Sequence, residues 1–319
     1  MKTKITFFIF TIILIFCNSC NQNTVKTNSD TLTGTISVSG AFALYPLTVQ
    51  WAENFKLLHP DVTIDISAGG AGKGMADVLS GMVDLAMFSR EVTSEEENKG
   101  AWKIPVAKDA VFPTVNTSNP LYEEIKKQGL TREQCMEIFT VSKKGTWDNY
   151  ITTDKKIPVN VYTRSDACGA ASMWAKFFGK EQEDLTGTGV YGDPGIADAV
   201  KNDKYGIGFN NLIYVYDMKT NKTIDGVSVI PLDLNGNRVI DSDENFYGTM
   251  TEVVSAIQSD KYPSPPAREL YLISKGKPVN PVVVAFLKYI LNEGQQVIST
   301  AGYVELDSIK IDNARQRLE

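Results

Sequence analysis

SAGGAGKGMADVLSGMVDLAMFSR, residues 67–90, is the stretch from which the rest of the chain can be read. It opens on four glycines, Gly69, Gly70, Gly72 and Gly74. A turn of this kind lets the backbone come close to a bound group and then feeds a helix. Met75, Val78, Leu79 and Met82 follow at i, i+3, i+4 and i+7, which predicts one apolar helix face. Val83–Phe88 is a short apolar run and predicts a buried strand, with Ser89 and Arg90 at its end. The unpaired N–H groups of a helix start, together with the helix dipole, favour an anion. The stretch therefore points to capture of a small oxyanion rather than to covalent chemistry.

Upstream, Ile36 and Val38 alternate within Thr35–Ser39 and predict a strand. Pro46 suits the first turn of a helix whose apolar stripe is Leu47, Trp51, Phe55 and Leu58. Val62, Ile64 and Ile66 alternate in a second strand. Strand, helix, strand, helix, strand is the pattern of an α/β sheet with helices on its faces. Downstream, residues 111–120 read as a polar, proline-bounded loop, a candidate crossover to a second lobe. Thr131 and Gln134 form a capping box for a helix carrying Met136, Ile138 and Phe139. A strand ends at Tyr162, and a helix follows with Ala171, Trp174, Ala175 and Phe178 on one face. Gly206–Phe209 reads as a strand, YPSPP (262–266) as a rigid linker, and Leu270–Ile273 as a strand. The last strong helix face is Val282, Ala285, Phe286, Tyr289 and Ile290.

At 319 residues the chain is long enough for two lobes, each with its own core. Its 43% hydrophobic and 22% charged content is ordinary for a globular protein. The formal net charge of −6, with no lysine or arginine run, argues against nucleic-acid binding. The N-terminus reads as a targeting segment: Lys2 and Lys4, an apolar Ile5–Phe16, then Cys17-Asn18-Ser19-Cys20. This resembles a bacterial lipoprotein box with Cys20 as the acylated residue, residues 1–19 as signal peptide and 20–32 as a tether; an ordinary secretory signal is the alternative. Removing residues 1–19 takes away two lysines and leaves −8. Cys135 and Cys168 do not make a disulfide framework. The single histidine, His59, reads as a helix-terminal residue.

Two further segments carry chemistry. Arg164-Ser165-Asp166-Ala167-Cys168-Gly169-Ala170 repeats the logic of the glycine-rich turn, with N–H groups at a helix start and a guanidinium suited to forked oxyanion binding. Residues 233–244 place oxygen-bearing residues at the positions of a calcium loop: Asp233, Asn235, Asn237, the Val239 carbonyl, Asp241 and Glu244. Arg238 stands where that loop prefers glycine, and a polar surface turn is the alternative. The cofactor expectation is that none is required, with a structural calcium as the one candidate.

Six segments in order resemble the phosphate-binding subunits of bacterial ABC importers: residues 39–47, 68–90, 129–140 with Trp147, 162–170, 199–209 and 285–306. The similarity runs from about Thr33 to Leu306. It implies a type II periplasmic-binding-protein fold, two α/β lobes of mixed sheets flanked by helices around a ligand cleft. Lobe 1 would be 33–114 plus 266–319, and lobe 2 would be 115–265. It implies a monomeric, extracytoplasmic, non-enzymatic protein that captures phosphate or a related oxyanion for permease partners, touching the membrane through a lipid anchor only.

The resemblance also implies where the ligand sits. The family holds phosphate with serine and threonine hydroxyls and neighbouring amides. Here Leu44, beside Tyr45, and Ala71 stand at hydroxyl positions, and Cys168 and Ala170 replace the serine and threonine of the facing loop. Arg164, Asp166 and Gly169 persist, and Ser89 with Arg90 falls at a ligand-contacting place. The Gly72 and Gly169 amides, Arg164 and the Ser89 side chain are the expected contacts. Hydrogen bonds to a charged group contribute about 1.5–3 kcal/mol each, so losing three without compensation removes about 4.5–9 kcal/mol. An organic phosphate or phosphonate is therefore a second candidate ligand, and a diverged sensor or adhesion-type lipoprotein is the competing class.

Overall fold

The computed structural model describes residues 32–142 and 145–319. The expected signal peptide, the expected anchor at Cys20 and most of the expected tether lie outside the described residues. Residues 32–319 form one compact unit.

The chain opens as β1 (Gly34–Gly40), α1 (Tyr45–Leu58), β2 (Val62–Ala68), α2 (Ala71–Ser80) and β3 (Leu85–Phe88), as the periodicity predicts. A short α3 (Ser94–Asn98), closed by a Thr93–Glu96 capping box, leads into β4 (Ala101–Asn116). Then come α4 (Tyr122–Gln128), α5 (Arg132–Thr140), β5 (Asn160–Arg164), α6 (Gly169–Phe177), β6 (Thr188–Val190), α7 (Gly192–Asn202) and β7 (Gly206–Asn211). Short strands β8 (Tyr216–Asp217), β9 (Lys222–Thr223) and β10 (Val227–Val229) precede α8 (Met250–Gln258), β11 (Ala267–Lys275), α9 (Pro281–Leu291) and α10 (Ser308–Leu318).

The main sheet runs β2-β1-β3-β11-β4-β7-β5-β6, with β10 also on β4. The β1–β2, β1–β3, β5–β6 and β5–β7 pairs are parallel; β11 runs antiparallel to β3 and β4, and β4 runs antiparallel to β7 and β10. Two hydrophobic cores flank this sheet. One gathers β1–β3, α1, α2, the first half of β4, most of β11, α9 and α10 around Trp51, Phe55 and Phe286. The other gathers residues 110–267, joined by Val304, around Phe139, Trp147, Trp174 and Phe209. The lobes are thus joined through β4 and β11, each of which passes from one core to the other. The change falls between Ala107 and Ala110 on β4 and between Ala267 and Leu270 on β11.

Residues 111–116 are not a loop. They are the second half of β4, paired with β7 and β10. Val111, Phe112 and Val115 are fully buried there, so apolar burial outweighs the break suggested by Pro113 and the flanking polar residues. Two stripe residues also fall outside the core. Met82 is 75% exposed because Gly81, at φ 77, ends α2 in a left-handed cap before the stripe is complete. Leu58, in the last turn of α1, is 60% exposed. His59 caps that helix through its N–H to the Phe55 carbonyl, 2.9 Å, and packs its ring, tilted by 46°, on Phe55. The Thr131–Gln134 capping box forms as expected. Among the described residues no helix is long and apolar enough to cross a membrane.

Candidate functional site

The starts of α2 and α6, one from each lobe, meet at the seam. The Gly72 N–H donates to the Ala167 carbonyl at 3.1 Å, and Gly70 and Gly72 pack against Asp166 and Ala167. A side chain at Gly70, which has φ 87, would collide with the Asp166 carboxylate. Gly169 packs against the Ser89 carbonyl and hydroxyl at the end of β3. The structure brings the two segments that the sequence singles out together as a closed contact.

Several expected ligand groups are already engaged. Gly72's amide is taken by Ala167, and the Cys168 amide by Gln182 Oε1 at 3.1 Å. Arg164, 6% exposed, spends its fork on two carboxylates. Nε and Nη2 donate to Asp166 at 2.8 and 2.6 Å, and Nη1 donates to Asp193 at 2.5 Å. Burial works against its charge, but the two carboxylates more than offset that and raise its pKa. Arg90 is clamped on Glu96 at 2.7 and 3.0 Å and lies over the Phe88 ring. Leu44 is fully buried in the first core, and Ala71 and Ala170 are buried as well. What remains free is the first-turn backbone: among the described residues the amides of Ala71, Gly169 and Ala170 have no hydrogen-bond partner.

Beside the two helix starts lies a cavity of about 320 Å³, lined by Gly72, Arg90, Thr93, Cys168, Ser172, Lys176 and Gln182 among others. Cys168 caps α6, its sulfur accepting from the Ala171 N–H at 3.4 Å. Burial pushes its thiol up to about 12, with nearby Arg164 opposing the rise. A shift in this direction favours the neutral thiol over the nucleophilic thiolate. Cys135 is likewise free and buried.

Behind Arg164 lies a buried polar chain that motif reading did not find. Asp193 accepts from Arg164 and from Asn211 Nδ2, the latter at 2.5 Å. Asn211 Oδ1 accepts from Arg268 Nη2, and Arg268 Nε donates to the Ser89 carbonyl at 3.2 Å. Arg268 Nη1 stands 3.6 Å from Asp109 Oδ2, and neither atom has a hydrogen-bond partner. Asp109 is fully buried, and desolvation raises its carboxyl to about 6 against the pull of Arg268. The legible signal was a charge inside an apolar run: Asp109 within VAKDAVF and Arg268 at the start of a strand.

The 233–244 loop is folded on itself. Asp233 accepts from the Gly236 and Arg238 amides, and Glu244 accepts from those of Leu234, Asn235 and Asp241. The Asn235 and Asn237 side-chain amides both donate to Asp241 at 2.8 Å. Arg238 takes φ 65, the left-handed turn that the spacing requires at that position. Among the described residues no three His, Cys, Asp or Glu side chains gather into a metal-holding group.

Comparison with known proteins follows the same lines. Residues 25–293 match the PBP superfamily domain. The chain is 26% identical over 317 residues to the phosphate-binding protein PstS of Pseudomonas aeruginosa (strain PAO1), covering 90% of this chain and 88% of that one. It is 27% identical over 289 residues to PstS of Staphylococcus aureus (strain USA300), covering 87% and 80%. Among solved structures, a phosphate ABC transporter substrate-binding protein from Clostridium perfringens, described as putative and solved with bound phosphate, superposes with a TM-score of 0.69 at 22% identity, over 86% of this chain and all of that one. An ABC-type phosphate transport receptor from Vibrio cholerae gives 0.62 at 18% identity, over 85% and 100%. The chain belongs to the PBP superfamily and has its two-lobed fold.

Proposed function

We propose that this protein captures phosphate or a related oxyanion outside the cytoplasm and delivers it to the permease of an ABC importer. The observation that carries the reading is the meeting of two helix starts across the lobe seam, with the Ala71, Gly169 and Ala170 amides unpaired among the described residues. Unpaired N–H groups and dipoles at helix starts favour an anion without calling on side-chain hydroxyls. The names of the relatives support the same ligand class. Arg164, balanced by Asp166 and Asp193, contributes orientation and a fixed dipole rather than a free charge. Capture would proceed by lobe closure about β4 and β11. The protein would work as a lipid-anchored monomer held through Cys20, and as a binder rather than a catalyst.

Calorimetry on residues 32–319 with phosphate, arsenate, sulfate, phosphonates and simple phosphate esters tests this. Saturable heat with phosphate or arsenate supports the reading. Binding confined to phosphonates or esters moves the substrate to an organic phosphate, and silence across the panel favours the sensor or adhesion-type module.

The 233–244 loop supports a second, structural reading, a bound calcium. Asp233 and Glu244 are both buried, and neither has an ion-pair partner among the described residues. A cation at the loop would supply the missing countercharge, at the cost of displacing the asparagine amides from Asp241. Stoichiometric heat with calcium and a higher unfolding temperature would support it. No heat and no shift would leave the loop as a self-closed turn.

A further inference from the structure

Asp109 and Arg268 are direct partners in the β4–β11 register, at the place where each strand changes from one core to the other. From there the Arg268 side chain reaches both lobes. Nε holds the carbonyl of Ser89 in lobe 1, and Nη2 holds Asn211 in lobe 2. Asn211 in turn holds Asp193, which holds Arg164 at the cleft. The third nitrogen, Nη1, is buried without a hydrogen bond, and it faces an Asp109 oxygen that also lacks one, at 3.6 Å.

We infer that Arg268 is the latch of lobe closure, a positioning residue with two settings. In the closed setting it bridges Ser89 and Asn211. When the lobes part, those two groups separate, and one guanidinium cannot hold both. Asp109 lies on the same hinge, a fraction of an ångström beyond hydrogen-bond range, and accepts the fork in the open setting. Nη1 and Oδ2, an ion pair at 3.6 Å without a hydrogen bond, are the partners released on closure, since a buried polar group lacking its hydrogen bond disfavours the state that contains it. Arg268 thus links ligand retention at the α2–α6 contact to the hinge, through Asn211, Asp193 and Arg164. The inference rests on reading the two lobes as a ligand-closing pair.

Two variants push the latch in opposite directions. Arg268→Lys keeps the charge but loses the fork, so it weakens the closed setting. Asp109→Asn removes the open-state acceptor charge and favours the closed setting. A residue with a merely structural role would lower stability in both variants and would not shift closure in opposite senses.

The test uses residues 32–319 with spin labels at Met218→Cys and Val279→Cys, exposed positions on different lobes, while Cys135 and Cys168 are buried. Pulsed-EPR distances on the ligand-free protein should lengthen in Arg268→Lys and stay short or shorten in Asp109→Asn. Stopped-flow release of inorganic phosphate should accelerate about tenfold or more in Arg268→Lys, with little change in association rate, and should slow in Asp109→Asn. Superimposable distance distributions for all three proteins overturn the latch, as does a shift in the same direction for both variants. If phosphate does not bind the unmodified chain, the proposed ligand fails, and the distance measurements still decide the latch.

Discussion

One methyl group at Gly169 should prise the lobes apart. Gly169 is the first residue of α6, and it presses on the end of β3 in the other lobe. A Cβ built there falls 2.3 Å from both the carbonyl and the hydroxyl oxygen of Ser89. Ordinary contact requires about 1 Å more. The first obstacle is backbone, and it is also gripped by Arg268, so it cannot swing aside as a side-chain tip would. Within each lobe the substitution is mild, because alanine is a better helix former than glycine. The cost therefore falls on the closed contact. Overpacking of this kind costs about 1–3 kcal/mol, which corresponds to about a 5- to 150-fold loss of affinity for a ligand bound by closure. Calorimetry with phosphate measures the loss, and small-angle scattering of the ligand-free chain measures the loosening. Gly169→Ala with unchanged affinity and unchanged radius of gyration would refute the placement of α6 against Ser89.

The remaining predictions concern the charges behind that contact. Arg164→Met leaves Asp166 and Asp193 facing each other unbalanced, and should cost about 3–5 kcal/mol in urea unfolding; a loss under 1 kcal/mol would show that the pair is not buried as described. Asp109 keeps its proton to about pH 6 in the fold, but only to about 3.9 when unfolded. Stability from this group is therefore greatest below that lower value and falls as pH rises towards 6, by about 3 kcal/mol. Above that it is flat. Asp109→Asn should remove this slope, and equal slopes in the variant and the parent protein would contradict the assignment. Cys168, its thiol pushed up to about 12, should resist iodoacetamide at pH 8 in the native state and react on unfolding. Rapid native labelling would reopen a reactive-thiol role.

What could be read from the sequence followed from period and punctuation. The β1–β3 half of the first lobe was legible because apolar alternation, a proline-led helix and a glycine-rich turn all agree there. β4 was not, since Pro113 and its polar neighbours look like a break, and only pairing with β7 and β10 shows that residues 111–116 continue the strand. The two helix-start segments were legible, but their bonds were not. Arg164, Asp166, Ser89 and Gly169 were named, yet nothing in their spacing told that Arg164 would face a second carboxylate, Asp193, 29 positions on. The Gly72 amide was assigned to a ligand because a helix start offers free N–H groups; the fold offers it a carbonyl from the other lobe instead. Arg268 and Asp109 escaped because their meaning lies in which core each neighbour joins, a long-range property.

The passage of β4 through both cores also orders the making of the protein. Apart from Val304, the second core is built from residues 110–267, a continuous stretch of chain. The first core opens at Ile36 but lacks the far part of β11, α9 and α10 until residues 270–318 exist. On a chain made from its N-terminus, the lobe that begins first is therefore completed last. Its strands β1–β3, with the glycine-rich turn between them, wait with an apolar face unfilled while the later lobe gathers its own core. The glycine-rich turn is thus finished only when the C-terminal helices dock.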